Sequence, residues 1–171
     1  MRKLTLSIHL AVSVAWIGAV AAYLALDVSA AVSQDPQTLR TAYLGMDLVV
    51  RSVVVPLAVA SLITGLVISL GTRWGLFRHY WVLISLLLTI FAIAVLLSET
   101  RTISTHARMA TDPSTSTEQL RAMGTTLVHS IGGLLVLLII LVLNVYKPKG
   151  MTRYGWRKQH QRLEPTRKAK T

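Results

Sequence analysis

The chain alternates between long uncharged stretches and short charged ones. Asp, Glu, Lys and Arg are absent from four blocks, residues 4–26, 52–72, 79–98 and 122–146. Each block is about as long as the roughly 20 residues that a helix needs to cross the hydrocarbon core of a bilayer. In lipid, backbone N–H and C=O groups need partners within their own segment, so each block is predicted to be helical. The pattern therefore predicts an all-α fold, a bundle of four transmembrane helices.

The same pattern divides the chain into a membrane domain, residues 1–147, and a basic tail, residues 148–171. The first block follows Arg2 and Lys3 and resembles the apolar run of a signal peptide. Its 23 residues exceed the usual 7–15 of such runs, so we interpret it as an uncleaved span. The predicted spans are residues 4–26, 50–72, 79–99 and 122–146.

Local signals predict that the second helix extends beyond the membrane on the outer side. Asp35 followed by Pro36 is typical of an N-cap and a first helical position. The helix is predicted over residues 36–71, with a kink at Pro56, and an Asp47–Arg51 pair one turn apart. Four residues fall on one face of its outer part: Leu39, Tyr43, Met46 and Val50.

The third and fourth helices carry comparable signals. The third can continue past residue 99 until Asp112 and Pro113 end it. Thr115 and Glu118 have the spacing of a capping box for the fourth helix. The outer face is therefore predicted to be a small helical cap.

Two helices carry small residues along one face, and such stripes allow close helix packing in lipid. We interpret both as packing surfaces inside the bundle, with a homo-oligomer interface as the alternative. The stripes are Ala11, Ala15, Gly18, Ala22 and Ala25 on the first helix, and Ala58, Ser61, Gly65 and Ser69 on the second.

Charge indicates the orientation. The chain has 18 Lys and Arg against 7 Asp and Glu, a formal net charge of +11. The N-terminus, the turn at residues 73–78 and the segment from Lys147 onward hold 13 of the 18 basic residues. Because cytoplasmic loops carry the excess of Lys and Arg, both termini are predicted to be cytoplasmic. The turn also groups four aromatic residues typical of a headgroup layer: Trp74, Phe77, Tyr80 and Trp81.

Several function classes lack their sequence signals. Cysteine is absent, which excludes disulfides and cysteine-based metal or redox sites. Walker A, GxGxxG, HExxH and GxSxG motifs are also absent.

Polar groups inside the membrane are the remaining candidates for chemistry, because each is costly there. His9 and His129 are candidate ligands for haem b, although neutral, hydrogen-bonded histidines are the structural alternative. With about 1.5 Å rise per residue, their depths should differ by ~15 Å, too much for one shared iron.

Charged residues form two further candidate sites. Those near the outer helix ends are expected to line an opening for a small solute or to form an ordinary interfacial charge layer with weak ion pairs: Asp27, Asp47, Arg51, Glu99 and Arg101. In the tail, Arg153, Arg157 and Lys158 are predicted to contact anionic lipid headgroups beside Tyr154 and Trp156. Nucleic acid is not an expected partner, because no folded reading module accompanies the tail.

Two segments carry a family resemblance. Helix 1 reads Ile8-His9-Leu10 and then Ala15-Trp16-Ile17-Gly18, and residues 62–66 and 74–82 read LITGL and WGLFRHYWV. Over most of residues 4–150 the chain resembles small four-helix membrane proteins common in actinobacteria. This resemblance implies a bacterial cell membrane and this fold rather than an activity.

The histidine followed by Trp and Gly in helix 1 is also similar, more distantly, to copper-resistance D-type proteins and to the membrane-bound protoporphyrinogen oxidase. Where the oxidase has a lysine in its third helix, this chain has Ser85. The five methionines are scattered and form no cluster for copper.

We therefore expect a non-enzymatic membrane bundle that binds a partner or modulates a membrane process. A haem-binding redox protein that uses His9 is one alternative. A small transporter that uses the outer charged residues is another.

Overall fold

The computed structural model describes residues 2–71 and 75–158, and these form helices joined by short connections. Four helices, Lys3–Val32, Pro36–Gly71, Tyr80–Thr111 and Leu127–Tyr146, are long and apolar enough to cross a membrane. The chain is therefore an all-α, multi-pass membrane protein, as the sequence predicted. The elements are α1 (Arg2–Val32), α2 (Pro36–Val49), a π-helical turn (Val50–Val54), α3 (Val55–Gly71), α4 (Tyr80–Thr111), α5 (Thr117–Ala122) and α6 (Leu127–Tyr146).

The four spans form a closed ring in which α1 and α4 each pack against both α3 and α6. We call the end with the start of α1, residues 75–79 and the end of α6 the basic end. The opposite end, with the α1–α2 and α4–α5 connections, is the far end. At the far end α2 packs between α1 and α4, and α5 packs on α2.

The far end contains a well-packed helical cap, which confirms that α2 and α4 extend as predicted. Asp35 caps α2 by accepting a hydrogen bond from the Thr38 N–H at 2.8 Å. Asp112 ends α4. The predicted α2 face is buried, and its residues form one apolar cluster with Tyr23, Ala30, Ile103 and Leu120: Leu39, Tyr43, Met46 and Val50.

A π-helical turn joins α2 to α3 where a kink was predicted. The Val55 N–H bonds to the Val50 carbonyl, five residues back. Pro56 has no N–H, and in a regular α-helix its ring would clash with the carbonyl of Ser52. Widening the preceding turn removes that conflict.

The π-helical turn also corrects the phase of the long helix. The buried stripe runs from Leu39 to Ser69 and returns to the same face eight times, so it takes 30 residues for eight turns. Eight turns of regular α-helix would take about 29 residues. The extra residue in the turn keeps one face directed into the bundle at both ends. Its members are Leu39, Tyr43, Met46, Val50, Val54, Ala58, Ser61, Gly65 and Ser69.

The predicted capping box at Thr115 and Glu118 is wrong by one residue. The box is formed by Ser116 and Gln119, each accepting from the other's backbone N–H. Thr115 instead donates its N–H to the Asp112 carbonyl in the turn that follows α4. The box begins the short helix α5 rather than the fourth span. Gly124, with φ +77°, separates the two helices, and the fourth span starts at Leu127.

The two small-residue stripes have different fates. The α3 stripe packs inside the bundle as predicted. The α1 stripe does not, because all five of its residues are exposed and a Cβ added at Gly18 would meet nothing within 4 Å. The buried face of α1 lies on the opposite side and includes the large side chains of Trp16 and Tyr23 together with Ala19, Asp27 and Ala30.

At the basic end, the start of the tail pairs with the turn before α4. The Thr152 N–H donates to the Arg78 carbonyl at 2.9 Å, and the Tyr80 N–H donates to Gly150 at 3.3 Å. Gly155 sits so close that an added Cβ would lie 2.5 Å from the Arg78 oxygen. Trp74 and residues 159–171 of the predicted tail lie outside the described residues.

Candidate functional site

A cavity of about 790 Å³ lies between α1, α3, α4 and α6 in the basic half of the bundle. Its lining extends from Lys3 and Lys147 at the basic end to Trp16 and Leu137 near the middle of the spans. Thirteen residues of α1 separate Lys3 from Trp16, which corresponds to about 20 Å along the helix axis. The cavity therefore occupies one half of the transmembrane region.

Small residues create this space. The lining includes Ser61, Gly65 and Ser69 of α3, Ser13 of α1 and Ser85 of α4. Nearer the middle of the spans, the larger side chains of Trp16 and Leu137 pack in one buried apolar cluster. Most of the remaining wall is leucine, isoleucine and valine. A sizeable apolar cavity with a few polar groups is typical of small-molecule sites.

His9, the histidine predicted as a haem ligand, lines the cavity and is fixed by α3. Its Nδ1 lies 2.9 Å from the Thr64 hydroxyl oxygen. That hydroxyl has a single proton and donates it to the Ala60 carbonyl at 2.7 Å. We therefore assign His9 Nδ1 as the donor to Thr64, so that Nε2 keeps its lone pair. Gly65 allows this approach, because an added Cβ would lie 3.2 Å from His9 Cε1.

Two buried donors in the cavity wall have no hydrogen-bond partner among the described residues: the Trp16 indole N–H and the Ser85 hydroxyl. Trp16 is 4% exposed and Ser85 is 7% exposed. Other hydroxyls in the wall are paired, since Ser13 and Ser61 bond to each other at 3.0 Å.

Asp27 of α1, predicted on the outer face, is instead fully buried against the start of α6. One carboxylate oxygen accepts hydrogen bonds from the Thr126 hydroxyl at 2.9 Å and the Ser130 hydroxyl at 2.8 Å. The other accepts from the Thr126 N–H at 3.3 Å. The Tyr23 hydroxyl joins the network 2.7 Å from the Thr126 oxygen. The carboxylate also benefits from the partial positive charge of the α6 N-terminus.

The other far-end candidates make contacts of their own. Asp47 and Arg51 form the predicted pair at 2.8 Å, and the Ser104 hydroxyl donates to the same Asp47 oxygen at 3.0 Å. Glu99 lies 3.6 Å from His129 Nε2. Arg101 is exposed.

The two predicted haem ligands are therefore in different places. His129 is half exposed beside Glu99 and does not line the cavity, whereas His9 does. Within residues 2–71 and 75–158, His, Asp and Glu side chains form no cluster of three or more that would hold a metal ion.

The predicted headgroup residues Arg153, Arg157 and Lys158 are exposed in the short helix at 153–158. Thr152 begins this helix by accepting from the Gly155 N–H at 3.1 Å. The Lys158 ammonium donates to the Tyr154 hydroxyl at 3.1 Å and lowers the pKa of that phenol. The helix thus presents cations and aromatic rings together at the basic end.

No protein-family model, curated protein sequence or solved structure gives a significant match to this chain. Function is therefore inferred from the residues and their geometry.

Sequence reasoning singles out His9, Asp27 and the tail residues as candidates, but it does not indicate the cavity. Trp16 was noted only for the family resemblance, and Ser85 only for its place opposite a lysine. A usable signal was present in α1, where Trp16, Tyr23 and Asp27 follow one another at helical spacing on a single face. The cavity between the helices, in contrast, corresponds to no residue pattern that could be recognised in the sequence.

Proposed function

We propose that this protein is a non-enzymatic membrane protein that binds a lipophilic small molecule in the cavity between α1, α3, α4 and α6. The supporting observation is the cavity itself, about 790 Å³ with mainly apolar walls. Small-molecule sites occupy about 300–1,000 Å³ and combine such walls with a few placed polar groups.

The basic end faces the cytoplasm in this proposal, and the membrane is a bacterial cell membrane. The excess of Lys and Arg on that side supports the orientation. The family resemblance of helix 1 and of residues 62–82 supports the bacterial membrane. The cavity then lies in the cytoplasmic half of the bilayer. Because the chain lacks cysteine, Lys158→Cys and Gln37→Cys give two clean positions for a membrane-impermeant maleimide. In intact cells only Gln37→Cys is expected to react with the maleimide. Reaction of Lys158→Cys instead would show that the protein has the opposite orientation.

Photolabelling tests the binding proposal. An alkyl diazirine, added to protein in nanodiscs, is expected to label buried cavity residues such as Val82 and Leu137 as well as the lipid-exposed surface. Ser85→Leu places a large side chain in the cavity and should abolish labelling of those two residues. Ser98→Leu makes the same change on an exposed part of α4 and should leave it intact. Labelling confined to lipid-exposed residues in the unmodified protein would refute the proposal.

Haem is a second candidate occupant, favoured by one observation. His9 lines the cavity and its Nδ1 is held by Thr64, which leaves Nε2 as a coordinating nitrogen. His129 lies elsewhere, so the iron would have a single protein ligand from this pair. Protein expressed with ample haem should then show a Soret band that His9→Ala removes and His129→Ala retains. A protein without that band holds no haem.

At the basic end, we propose that Arg153, Arg157 and Lys158 bind anionic headgroups. Each basic residue near a negatively charged leaflet contributes about 1 kcal/mol. Native mass spectrometry should show fewer retained phosphatidylglycerol molecules after substitution of all three by Gln. Arg101→Gln at the far end should change nothing. Equal retention in both variants would contradict this assignment.

A further inference from the structure

Two lysines, Lys3 of α1 and Lys147 at the end of α6, line the cavity at its basic end, and both are exposed. Their depth can be measured from Trp16 and Leu137, which pack in one buried cluster near the middle of the spans. Lys3 is 13 residues from Trp16. Lys147 is 10 residues from Leu137. At about 1.5 Å per residue, the two lysines differ in depth by about 5 Å. Their long, flexible side chains can therefore reach one common group.

Deeper in the cavity, no lining residue carries a permanent charge. His9 and Asn144 are each seven residues from the member of the buried cluster on their own helix, and both line the cavity. They therefore lie at one level, about 10 Å from the cluster. Closer to the middle of the spans, the Ser13 and Ser61 hydroxyls bond to each other at 3.0 Å. The lining thus changes from cationic at the basic end to apolar near the middle.

The cavity wall does not balance the charge of the two lysines with a carboxylate. Within the described ranges 2–71 and 75–158, no Asp or Glu is among the lining residues. A negatively charged group at the basic end is therefore attracted, and a positively charged one is repelled. Because lipid tails are as apolar as leucine, an alkyl chain gains little by leaving the bilayer for the cavity. The headgroup therefore decides which amphiphile is selected.

We infer that the cavity takes an anionic amphiphile, whose carboxylate or phosphate lies between Lys3 and Lys147 and whose alkyl chain extends toward Trp16. Lysine ammonium groups bind either anion through charge-assisted hydrogen bonds. The inference rests on the proposed binding function and specifies the class of ligand. Two sources share this chemistry, a free fatty acid and a phospholipid with one acyl chain.

Competition against the alkyl diazirine tests the inference in nanodiscs of phosphatidylcholine, which has no net charge. Four probes with the same alkyl chain are compared for protection of Val82 and Leu137: dodecanoate, lauroyl lysophosphatidate, dodecanol and dodecyltrimethylammonium. A basic residue near an anionic group contributes about fivefold in affinity. The better anionic probe should therefore protect at roughly tenfold to thirtyfold lower mole fraction than dodecanol, and the cationic probe should be the weakest. Whichever anionic probe is stronger identifies the source.

Variants assign the preference to the two lysines. Lys3→Gln and Lys147→Gln should each weaken protection by the anionic probe about threefold to tenfold and leave dodecanol unchanged. Lys147→Arg keeps the charge and should keep the protection. Lys149→Gln is the matched control, because it removes the same charge at an exposed position that does not line the cavity.

The outcomes separate the two levels of proposal. If no probe protects and the diazirine never reaches Val82 or Leu137, the cavity binds no lipophile and both proposals fall. If the diazirine labels these residues but no anionic probe protects better than dodecanol, the binding function stands and the anionic assignment is overturned. The assignment is also overturned if Lys3→Gln and Lys147→Gln behave like Lys149→Gln.

Discussion

The Asp27 carboxylate of α1 accepts a hydrogen bond from the Ser130 hydroxyl of α6 at 2.8 Å. The two residues are 103 positions apart in the chain. Together with Thr126 they connect the far halves of the first and last spans at a fully buried position. The basic halves of the same helices separate around the cavity. This hydrogen-bond network therefore holds the closed end of the bundle.

Loss of the Asp27 carboxylate should open that end. Asp27→Ala leaves the Thr126 and Ser130 donors without their acceptor, and we expect the free energy of unfolding to fall by about 2–3 kcal/mol. Ser130→Ala, which removes one donor and leaves the acceptor with others, should cost about 1 kcal/mol. Chemical unfolding in mild detergent, followed by circular dichroism, measures both. Equal stability of wild type and Asp27→Ala would contradict this role.

Arg40 holds the end of α4 at the far end. Its guanidinium donates to the Ala110 carbonyl at 2.6 Å, to Asp112 at 2.9 Å and to Thr115 at 2.6 Å. Removing it leaves terminal carbonyls of α4 without their charged donor.

We expect Arg40→Ala to lower the free energy of unfolding by about 2 kcal/mol. Arg40→Lys should recover only part of the loss, because an ammonium lacks the planar fork that reaches several carbonyls. Arg101→Ala, at an exposed position, is the control and should stay within about 0.5 kcal/mol. Hydrogen exchange at residues 109–116 gives a local readout that should speed up only in the Arg40 variants.

Gly18 and Gly65 offer a matched pair within one fold. Alanine in a helix interior is favoured over glycine by roughly 0.5–1 kcal/mol, mainly through backbone entropy. At Gly18 nothing lies near the new methyl group, so Gly18→Ala should stabilise the protein by about that amount.

At Gly65 the new methyl group would lie 3.2 Å from His9 Cε1, so the gain should vanish or reverse. The difference between the two unfolding free energies is the quantity to measure. A Gly65→Ala gain as large as that of Gly18→Ala would show that the close contact with His9 is unimportant.

Acid should weaken the start of α2. The Thr38 hydroxyl and N–H donate to Asp35 at 2.7 and 2.8 Å and lower the pKa of its carboxyl below the usual 3.8. A depressed folded-state pKa contributes stability above the unfolded value, and this contribution disappears as the pH falls through the folded pKa.

The protection factors for hydrogen exchange at residues 36–42, which compare each rate with that of the unfolded chain at the same pH, should therefore fall below about pH 4. Asp35→Asn keeps a capping oxygen but does not titrate, so it should flatten this pH dependence. An unchanged pH profile in that variant would assign the acid effect to other groups.

The parts of the fold that the sequence predicted are those set by local rules. Uncharged runs marked the spans, and Asp35 with Pro36 marked the start of α2 because a cap needs only its own neighbours. The capping box was displaced by one residue because Thr115–Glu118 and Ser116–Gln119 carry the same pattern. Which one forms depends on the Arg40 contacts that fix the preceding turn, and these come from 75 residues away.

The candidate site was predictable only residue by residue. His9 and Asp27 stood out because polar groups are rare in such spans. The partners of Asp27 were hidden, since Thr126 and Ser130 are ordinary residues until α6 is packed against α1. The two stripes of small residues were indistinguishable by pattern. Only the bulk of Trp16 and Tyr23 on the opposite face decides which side of α1 turns inward.

The π-helical turn gives the second span one spare residue. Deletion of Ser52, combined with Pro56→Ala, should convert the turn into regular α-helix and still leave Ser61 and Gly65 facing the cavity. Deletion of Val59 removes a residue from regular α-helix, and it rotates the rest of α3 by about 100° relative to the bundle. Length changes in this span should therefore be accepted at one place and rejected a few residues further on.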